Sequence, residues 1–456
     1  MHSTDTIVAL STPPGRSGIG VIRLSGKGAL DITRSLVRDE DFNPEPNHVT
    51  LKKIRDPEND EAIDQSLITY FKAPHSFTGE DVIELSCHGS PVLLRQIVDL
   101  ILRLDARAAD PGEFTLRALA NGRMNLSQAE AVRDLINAQT HAAARQAVRQ
   151  LGGELSSRLQ PIKDSLLEII VRLESSLEFV EDDLPSIETS HISSKISNIA
   201  DYVMNLAATF RAGRLLREGI KVTLVGRPNV GKSSVFNGLL SSDRAIVTDI
   251  PGTTRDSLSE LISLEGVPVL LTDTAGIRSS DDKVESLGVE RTRRAMADAD
   301  LVIVVLDSSE PFNAEDNEAL DSVADNLHLI AHNKSDLLFF ENNNISEIAH
   351  GARAIINVSA KTGAGLDALR EAILEPFAIS DIYDPGVLIT NARHFDLLQR
   401  THNELITSNE VLDEGRSEEL ILVGLHNALR FLGEITGETT TEDILSQIFS
   451  TFCIGK

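Results

Sequence analysis

The sequence predicts a multidomain α+β and α/β chain. An N-terminal α+β unit comes first, then a helical bundle built from two separated segments, with a doubly wound α/β phosphate-loop domain inserted between those segments. Its 456 residues are too many for one ordinary core, and roughly three domains is the prior for that length. Texture changes at Ser127, from short strand-length runs to Ala, Leu, Gln, Glu and Arg at helical spacing. It changes again at Gly219, to strands alternating with helices, and becomes helical once more beyond about Pro376. The boundaries expected are 1–119, 120–217, 218–377 and 378–456, the second and fourth sharing one bundle because each carries apolar stripes that need a partner.

In the first unit the apolar runs 6–10, 20–24, 66–71 and 81–85 are strand-length and bounded by Gly, Pro and Asn. Residues 91–104 read as a helix, with Val92, Leu93, Ile97, Leu100, Ile101 and Leu104 on one stripe. Ser127-Gln128-Ala129-Glu130 reads as a capping box that opens the helical region. Gly152-Gly153 and the Pro185-Ser186 region are the expected interruptions of long antiparallel helices. The last segment reads as helices 392–409 and 417–436, then a final helix capped by Thr440 with Asp443 three residues on.

Net charge is −26, which argues against a generic nucleic-acid coat or an anionic-membrane binder but leaves room for a local basic patch. No apolar run approaches the roughly 20 residues that span a bilayer. The N-terminus lacks the pattern of a signal peptide, and two cysteines make no disulfide framework, so a cytoplasmic protein is expected. Cys87 beside His88 has no other ligands clustered around it in sequence and is read as structural.

The chemistry begins at Lys221, in KVTLVGRPNVGKSS. A β-branched run, Val222 to Val225, leads into Gly226, and Gly231-Lys232-Ser233 completes G-x-x-x-x-G-K-[ST] ahead of a helix. Such a turn aims consecutive N–H groups at phosphate oxygens, and Asn229, Val230 and Ser234 belong to the same cradle. Lys232 would neutralise β/γ-phosphate charge, and the Ser233 hydroxyl would ligate Mg²⁺. Asp273-Thr274-Ala275-Gly276 follows an apolar strand at 268–271; Asp273 would reach Mg²⁺ through water and the Gly276 N–H would meet the γ-phosphate. Between them, Thr248-Asp249-Ile250-Pro251-Gly252-Thr253-Thr254 is a polar run from which Thr254 would complete the Mg²⁺ shell. Asn333-Lys334-Ser335-Asp336 follows a strand at 327–331, and Ser359-Ala360-Lys361 follows another and would close over the base. The Asp336 carboxylate can accept from guanine's N1–H and exocyclic amino group, a pair that adenine lacks. Each motif is weak alone. Five in order, each at the C-terminal end of a strand, point to GTP.

Hydrolysis needs a group to orient water. The position after Asp-x-x-Gly, where a Ras-type site has Gln, is Ile277, which cannot do this. Asp281, Asp282 and Glu285 are nearby carboxylates, Asp249 and Arg255 are lesser candidates, and no arginine is identifiable as a finger.

The whole chain resembles one family, the bacterial and organellar tRNA-modification GTPases called MnmE or TrmE. The residues that carry the resemblance are TPPGRSGIGVIRLSG, FTGEDVIELSCHG, PGEFTLRALANGRMNLSQAEAVRDLI, TDIPGTTRD and the terminal FCIGK, in that order. The resemblance implies a homodimer joined through N-terminal domains that bind a tetrahydrofolate derivative, 5-formyl- or methylene-tetrahydrofolate, around an inserted Ras-like G domain. It implies a flavoprotein partner, MnmG (GidA), and addition of an aminomethyl-type group to the wobble uridine of certain tRNAs. It also implies K⁺-dependent G-domain association. Asn229 matches the K⁺-ligating Asn, with Thr248, Ile250 and Thr253 as further oxygen donors; such a cation can take an arginine finger's role. Glu285 matches the catalytic Glu that orients water. Arg23, Glu84, Arg123 and Lys456 match folate-contacting positions, with Arg123 where members commonly carry Lys, and Cys453 matches a C-terminal Cys near that site. Two other readings stand beside this one: a ribosome-assembly GTPase, which would be expected to add a basic RNA-binding module, and a folate-dependent one-carbon transferase with a regulatory GTPase.

Overall fold

The computed structural model describes residues 5–178, 189–241, 258–274, 293–337, 351–377, 386, 388–415, 418–438 and 442–455. The chain divides into two compact units, Met1–Arg133 with Gln150–Asp164 and Leu429–Lys456, and Asp134–Arg149 with Ser165–Ala428.

The first unit is built on a six-stranded sheet: β1 (Thr6–Leu10), β2 (Ile19–Ser25), β3 (Val49–Arg55), β4 (Ala62–Phe71), β5 (Val82–His88) and β6 (Ala106–Ala108). Their order is β3-β4-β5-β2-β1-β6, antiparallel throughout except for β1 beside β6. Helices α1 (Ala29–Val37) and α2 (Pro91–Arg103) cover one face. Side chains alternate along a strand, so Ile22, Leu24, Ile83 and Leu85 enter this core together with Leu36, Ile97 and Ile101. Each such residue contributes about 1.5–3 kcal/mol, enough to fix the register. The same alternation turns Arg23 and Glu84, paired in register, to the opposite face.

That opposite face is closed over β1 by α3 (Glu113–Ala120), whose Phe114 buries Ile7 and Ala9. Next comes α4 (Leu126–Asn137), where the expected cap moves. Ser127 lies inside the helix, and Asn125 takes the capping role. Its Oδ1 accepts the Gln128 N–H at 2.9 Å, while Gln128 Oε1 accepts the Asn125 N–H at 3.0 Å. The reciprocal box is therefore Asn125-x-x-Gln128, two residues upstream of the expected one. Gly152-Gly153 separates α5 (His141–Leu151) from α6 (Glu154–Glu178), as expected. The last helix, α14 (Glu442–Ser450), follows Thr440, which lies outside the described residues. It sends Phe449, joined by Phe452, against Leu126 and Ala129. Gly112, at φ +70°, admits this packing, because a Cβ there would lie 2.9 Å from Phe449 O.

The second unit holds a sheet of β7 (Ile220–Val225), β8 (Leu258–Leu264), β9 (Val267–Asp273), β10 (Leu301–Asp307), β11 (His328–Asn333) and β12 (Ile355–Asn357). The order is β12-β11-β10-β7-β9-β8, parallel except for the β8–β9 hairpin. All seven residues of β10 are buried; Leu301, Ile303 and Val305 face one core, and Val302, Val304 and Leu306 the other. A continuous apolar run is what a sheet covered on both faces requires. Helices α9 (Lys232–Leu240) and α11 (Leu366–Leu374) lie on the first face, and α10 (Ala314–Asp321) follows β10.

The helical bundle draws on both sides of this domain. Before it come α7 (Thr189–Ala208) and α8 (Phe210–Glu218); after it come α12 (Ala392–Asp413) and α13 (Glu418–Thr436). Helix α7 packs along α12, burying Ile192, Ile196 and Val203 on one side and Leu398 and Leu405 on the other. Phe210 stacks on Phe395 at 4.4 Å, and Asn409 donates to Ser197 Oγ at 3.1 Å. Among the described residues no helix is long and apolar enough to cross a membrane.

Candidate functional site

Strand β7 lies where the sheet order reverses, with β9 on one side and β10 on the other, and ligands of such sheets bind beyond the strand ends at that point. The turn 226–231 follows it directly and α9 starts at Lys232. Gly226 has φ +144° and a Cβ there would lie 2.4 Å from Val305 O; Gly231 has φ +95° and its Cβ would lie 2.3 Å from Asn333 Nδ2. Only glycine fits either place. Asn229 takes φ +65°, and Val230, fully buried, anchors the turn. Lys232, also buried, donates to Gly226 O and Arg227 O, both at 2.8 Å, which holds its ammonium across the mouth of the loop.

Ser233 Oγ donates to Asp273 Oδ2 at 2.7 Å. A hydroxyl and a carboxylate facing each other at the start of a helix form a hard oxygen set that fits Mg²⁺. The neighbouring Ser234 is exposed. Thr274 turns inward, its hydroxyl donating to Leu224 O at 2.7 Å, so it ties β9 to β7.

Asn333 joins three of the expected motifs. Its Nδ2 donates to Val230 O at 2.9 Å, and its Oδ1 accepts the Ala360 N–H at 3.1 Å. Ser359, buried, donates its hydroxyl to Asp336 Oδ1 at 2.6 Å and accepts the Thr362 N–H at 3.2 Å. That hydroxyl holds the exposed Asp336 carboxyl below the usual range. Lys361 is exposed beside it.

Two residues that motif reading passes over complete the site. Asp307 ends β10 and pairs with Lys334, which itself adopts φ +64°. Burial raises the Asp307 carboxyl, but Lys334 and Ser309 outweigh burial and leave its pKa lowered. An aspartate closing an all-apolar strand was the available signal. Arg227, inside the phosphate loop, reaches Asp316 at 3.0 Å and Glu310 at 2.7 Å, pinning the loop to the start of α10. Thr248, Asp249, Ile250, Pro251, Gly252, Thr253, Thr254, Arg255, Ala275, Gly276, Ile277, Asp281, Asp282 and Glu285 lie outside the described residues, as does Lys456.

In the first unit Arg23 meets Glu84 Oε1 through Nε at 2.9 Å and Nη2 at 2.6 Å, and its Nη1 donates to Gly455 O at 3.3 Å. The guanidinium lies 5.9 Å from the Phe77 ring and 5.8 Å from the Phe114 ring. Arg123 donates to Ser76 O at 3.1 Å, one residue from Phe77. The ion pair is partly exposed; Phe77 lies exposed on one side of it and Phe114 is fully buried on the other. Cys453 is exposed and its carbonyl accepts the Gly112 N–H at 3.4 Å. Cys87 and His88 point to opposite faces. Burial pushes the Cys87 thiol up to about 11, whereas the His88 ring is exposed and meets Asp64 at 2.6 Å.

A doubly wound sheet with a phosphate loop at its switch point, a hydroxyl–carboxylate pair beside it and a second carboxylate held by Ser359 defines a P-loop GTPase domain inserted in a larger chain. The model of the MnmE helical domain matches residues 126–453, and that of the GTP-binding protein TrmE N-terminus matches residues 6–123. The tRNA modification GTPase MnmE of Koribacter versatilis is 44% identical over 460 residues, covering 100% of both chains. That of Aquifex aeolicus is 41% identical over 453 residues, covering 99% of this chain and 100% of its own. Among solved structures, the G domain of the T. maritima FeoB iron transporter aligns with 35% of this chain and 98% of its own, at 28% identity and a TM-score of 0.26. The chain belongs to the MnmE family of tRNA modification GTPases.

Proposed function

We propose that this GTP hydrolase couples its cycle to placing an aminomethyl-type (carboxymethylaminomethyl) group on the wobble uridine of certain tRNAs, acting with a flavoprotein of the MnmG (GidA) kind. GTP would lie across residues 229–234, its β- and γ-phosphates against Lys232 and the N-terminus of α9, and its guanine against Asp336 under Ser359 to Lys361. The observation that carries the reading is the Asn333 side chain, which bonds the phosphate loop and the Ala360 backbone at once, so phosphate and base sites share one rigid support. Mg²⁺, when bound, supplies charge neutralisation at the phosphates; Ser233, Asp273 and Thr254 would hold it. The Asn229 side chain is exposed and makes no hydrogen bond among the described residues, and its carbonyl would serve K⁺ alongside Thr248, Ile250 and Thr253. Glu285 would orient the attacking water, since Ile277 cannot.

The N-terminal unit would bind a tetrahydrofolate derivative at Arg23, Glu84, Arg123 and Lys456, with Cys453 near it, and would join two copies of the chain in a homodimer. Turnover of GTP in KCl against NaCl, for wild type and Glu285→Ala, tests the nucleotide half. Turnover should rise in KCl, and the variant should keep GTP affinity while losing most of its kcat. Equal rates in the two salts would overturn the K⁺ role, and an unchanged kcat the role of Glu285. Equilibrium dialysis with 5-formyl-tetrahydrofolate tests the other half, and no binding would remove that assignment.

A further inference from the structure

Two helices of the second unit grip the chain as it leaves the nucleotide domain. From α5, Gln146 donates to Leu388 O at 3.0 Å and Arg149 to Gly386 O at 3.2 Å. From α8, Arg217 donates to Thr390 O at 3.3 Å, and Thr209 just before it accepts the Ile389 N–H at 3.0 Å. Gly213 lies so close that a Cβ would be 2.2 Å from Ile389 O. Helices α5 and α8 therefore flank one segment, and their outward residues belong to one surface.

That surface is basic. His141, Arg145 and Arg149 are exposed at i, i+4 and i+8 on α5, and Arg211 and Arg214 at i and i+3 on α8. Arg145 and Arg214 meet no carboxylate among the described residues, and Arg211 reaches only the carbonyl of Pro376, at 2.8 Å. Among the described residues, Asp134 pairs with Arg217 at 3.1 Å, and Glu218 lies exposed at the end of α8. The chain has 69 acidic side chains against 43 Lys and Arg, so a surface cation is expected to find a carboxylate. Elsewhere in this unit Lys195 meets Glu168, Arg353 meets Glu375 and Arg400 meets Asp396. Arginines that meet no carboxylate among the described residues, on two helices flanking one segment, make a local positive field on a molecule of net charge −26.

We propose that Arg145, Arg211 and Arg214 form a docking surface for the phosphate backbone of a folded RNA, the tRNA on which the proposed function rests. Guanidinium forks match phosphate oxygens in pairs, and a few such contacts position RNA without reading its sequence. RNA held there would press on helices that also hold the segment leaving the nucleotide domain, so binding and the nucleotide cycle share a mechanical element.

Fluorescence anisotropy of labelled tRNA with the full chain tests this, comparing wild type, Arg145→Gln/Arg214→Gln and Arg145→Lys/Arg214→Lys across about 50 to 200 mM KCl. The Gln variant should bind at least about tenfold more weakly at the low-salt end, with a plot of log K against log salt shallower by about 1.5. The Lys variant should keep the wild-type slope, and all three should hydrolyse GTP at one rate. Equal affinity and slope in wild type and the Gln variant would overturn the surface. So would displacement of tRNA by polyglutamate as readily as by unlabelled tRNA, which would make the partner an acidic polypeptide. Wobble-uridine content of tRNA from cells carrying each variant separates the two levels. If wild type modifies tRNA while binding is unaffected by the Gln pair, only the surface fails; if wild type leaves tRNA unmodified, the functional reading beneath it fails.

Discussion

At the proposed nucleotide site the expected groups come from runs of four to eight neighbouring residues, and the backbone of the turn 226–231 sets their places. At the N-terminal sheet Arg23 meets a carboxylate 61 positions along the chain and a carbonyl 432 positions along it. Both sites hold charge at strands, yet they depend on different things. The first depends on positive φ at Gly226 and Gly231 and on one amide at Asn333. The second depends on β2–β5 register and on where the last residues of the chain come to rest. Damage to the first should alter catalysis and leave folding largely intact, whereas damage to the second should alter folding and ligand capture and leave GTP turnover alone.

The largest effect is expected at Asp336. Replacing it by Asn keeps one acceptor for the ring N1–H but sets an N–H donor against guanine's exocyclic amino group, so guanine loses one bond while xanthine, with a carbonyl there, gains a matching edge. Preference for GTP over XTP should fall by about three or more powers of ten, as at other sites built to hydrogen-bond one edge. Competition kinetics with the two nucleotides measures it, and wild-type preference in the variant would break the assignment. Next is Lys232→Ala, which removes the buried ammonium from the loop mouth. It should lower kcat/KM for GTP by about a hundredfold to a thousandfold. The melting of the N-terminal unit should not move.

The same contrast explains what was legible in the sequence. Phosphate-loop spacing, strand-end aspartates and the alternation of strands and helices are local, and β7, β9, β11 and α9 fall where the residues predict them. What stayed hidden depends on distance or on local competition. Asp307 and Arg227 belong to no motif, and their roles appear only when β10 and α10 are brought beside the loop. Ser127 satisfies the capping pattern, but the helix already begins at Leu126, so Asn125 is the residue placed to accept the Gln128 N–H. Helix α1 and strand β3 carry patterns too short to stand out, and tertiary packing makes them. For the N-terminal pair, sequence gave no bottom-up route from Arg23 to Glu84 and Gly455; resemblance pointed to the first two, and strand register explains why they meet.

Arg23→Ala sharpens the comparison from the other side. It strips Glu84 Oε1 of two N–H donors and Gly455 O of one, in a site about one-quarter exposed. Stability of the first unit should fall by about 1–3 kcal/mol, because hydrogen bonds to charged groups are lost and partial exposure softens the penalty. Reduced-folate binding should disappear, while GTP turnover per folded molecule stays at the wild-type rate. A drop in turnover matching the drop in folate binding would show that the two sites are not separable in this way.

The smallest effect concerns the two thiols, and it tests whether the N-terminal site owes its character to burial. Cys87 faces the helix-covered core and Cys453 faces solvent. Burial keeps the Cys87 thiol neutral, with its pKa pushed up to about 11 from an ordinary 9.0. The folded form therefore holds this proton more tightly than the unfolded form does. Its stability contribution is fully present below about pH 9 and is lost as pH rises through 11. Denaturant titrations at successive pH values should show wild type losing stability faster than Cys87→Ala across that window, with the gap closing below pH 9. At pH 8 a thiol reagent should label Cys453 at once and Cys87 only on unfolding. Equal labelling rates in the Cys87→Ala and Cys453→Ala variants would mean that the core face opens as readily as the C-terminal end, and the separation of a rigid sheet core from an accessible site edge would collapse.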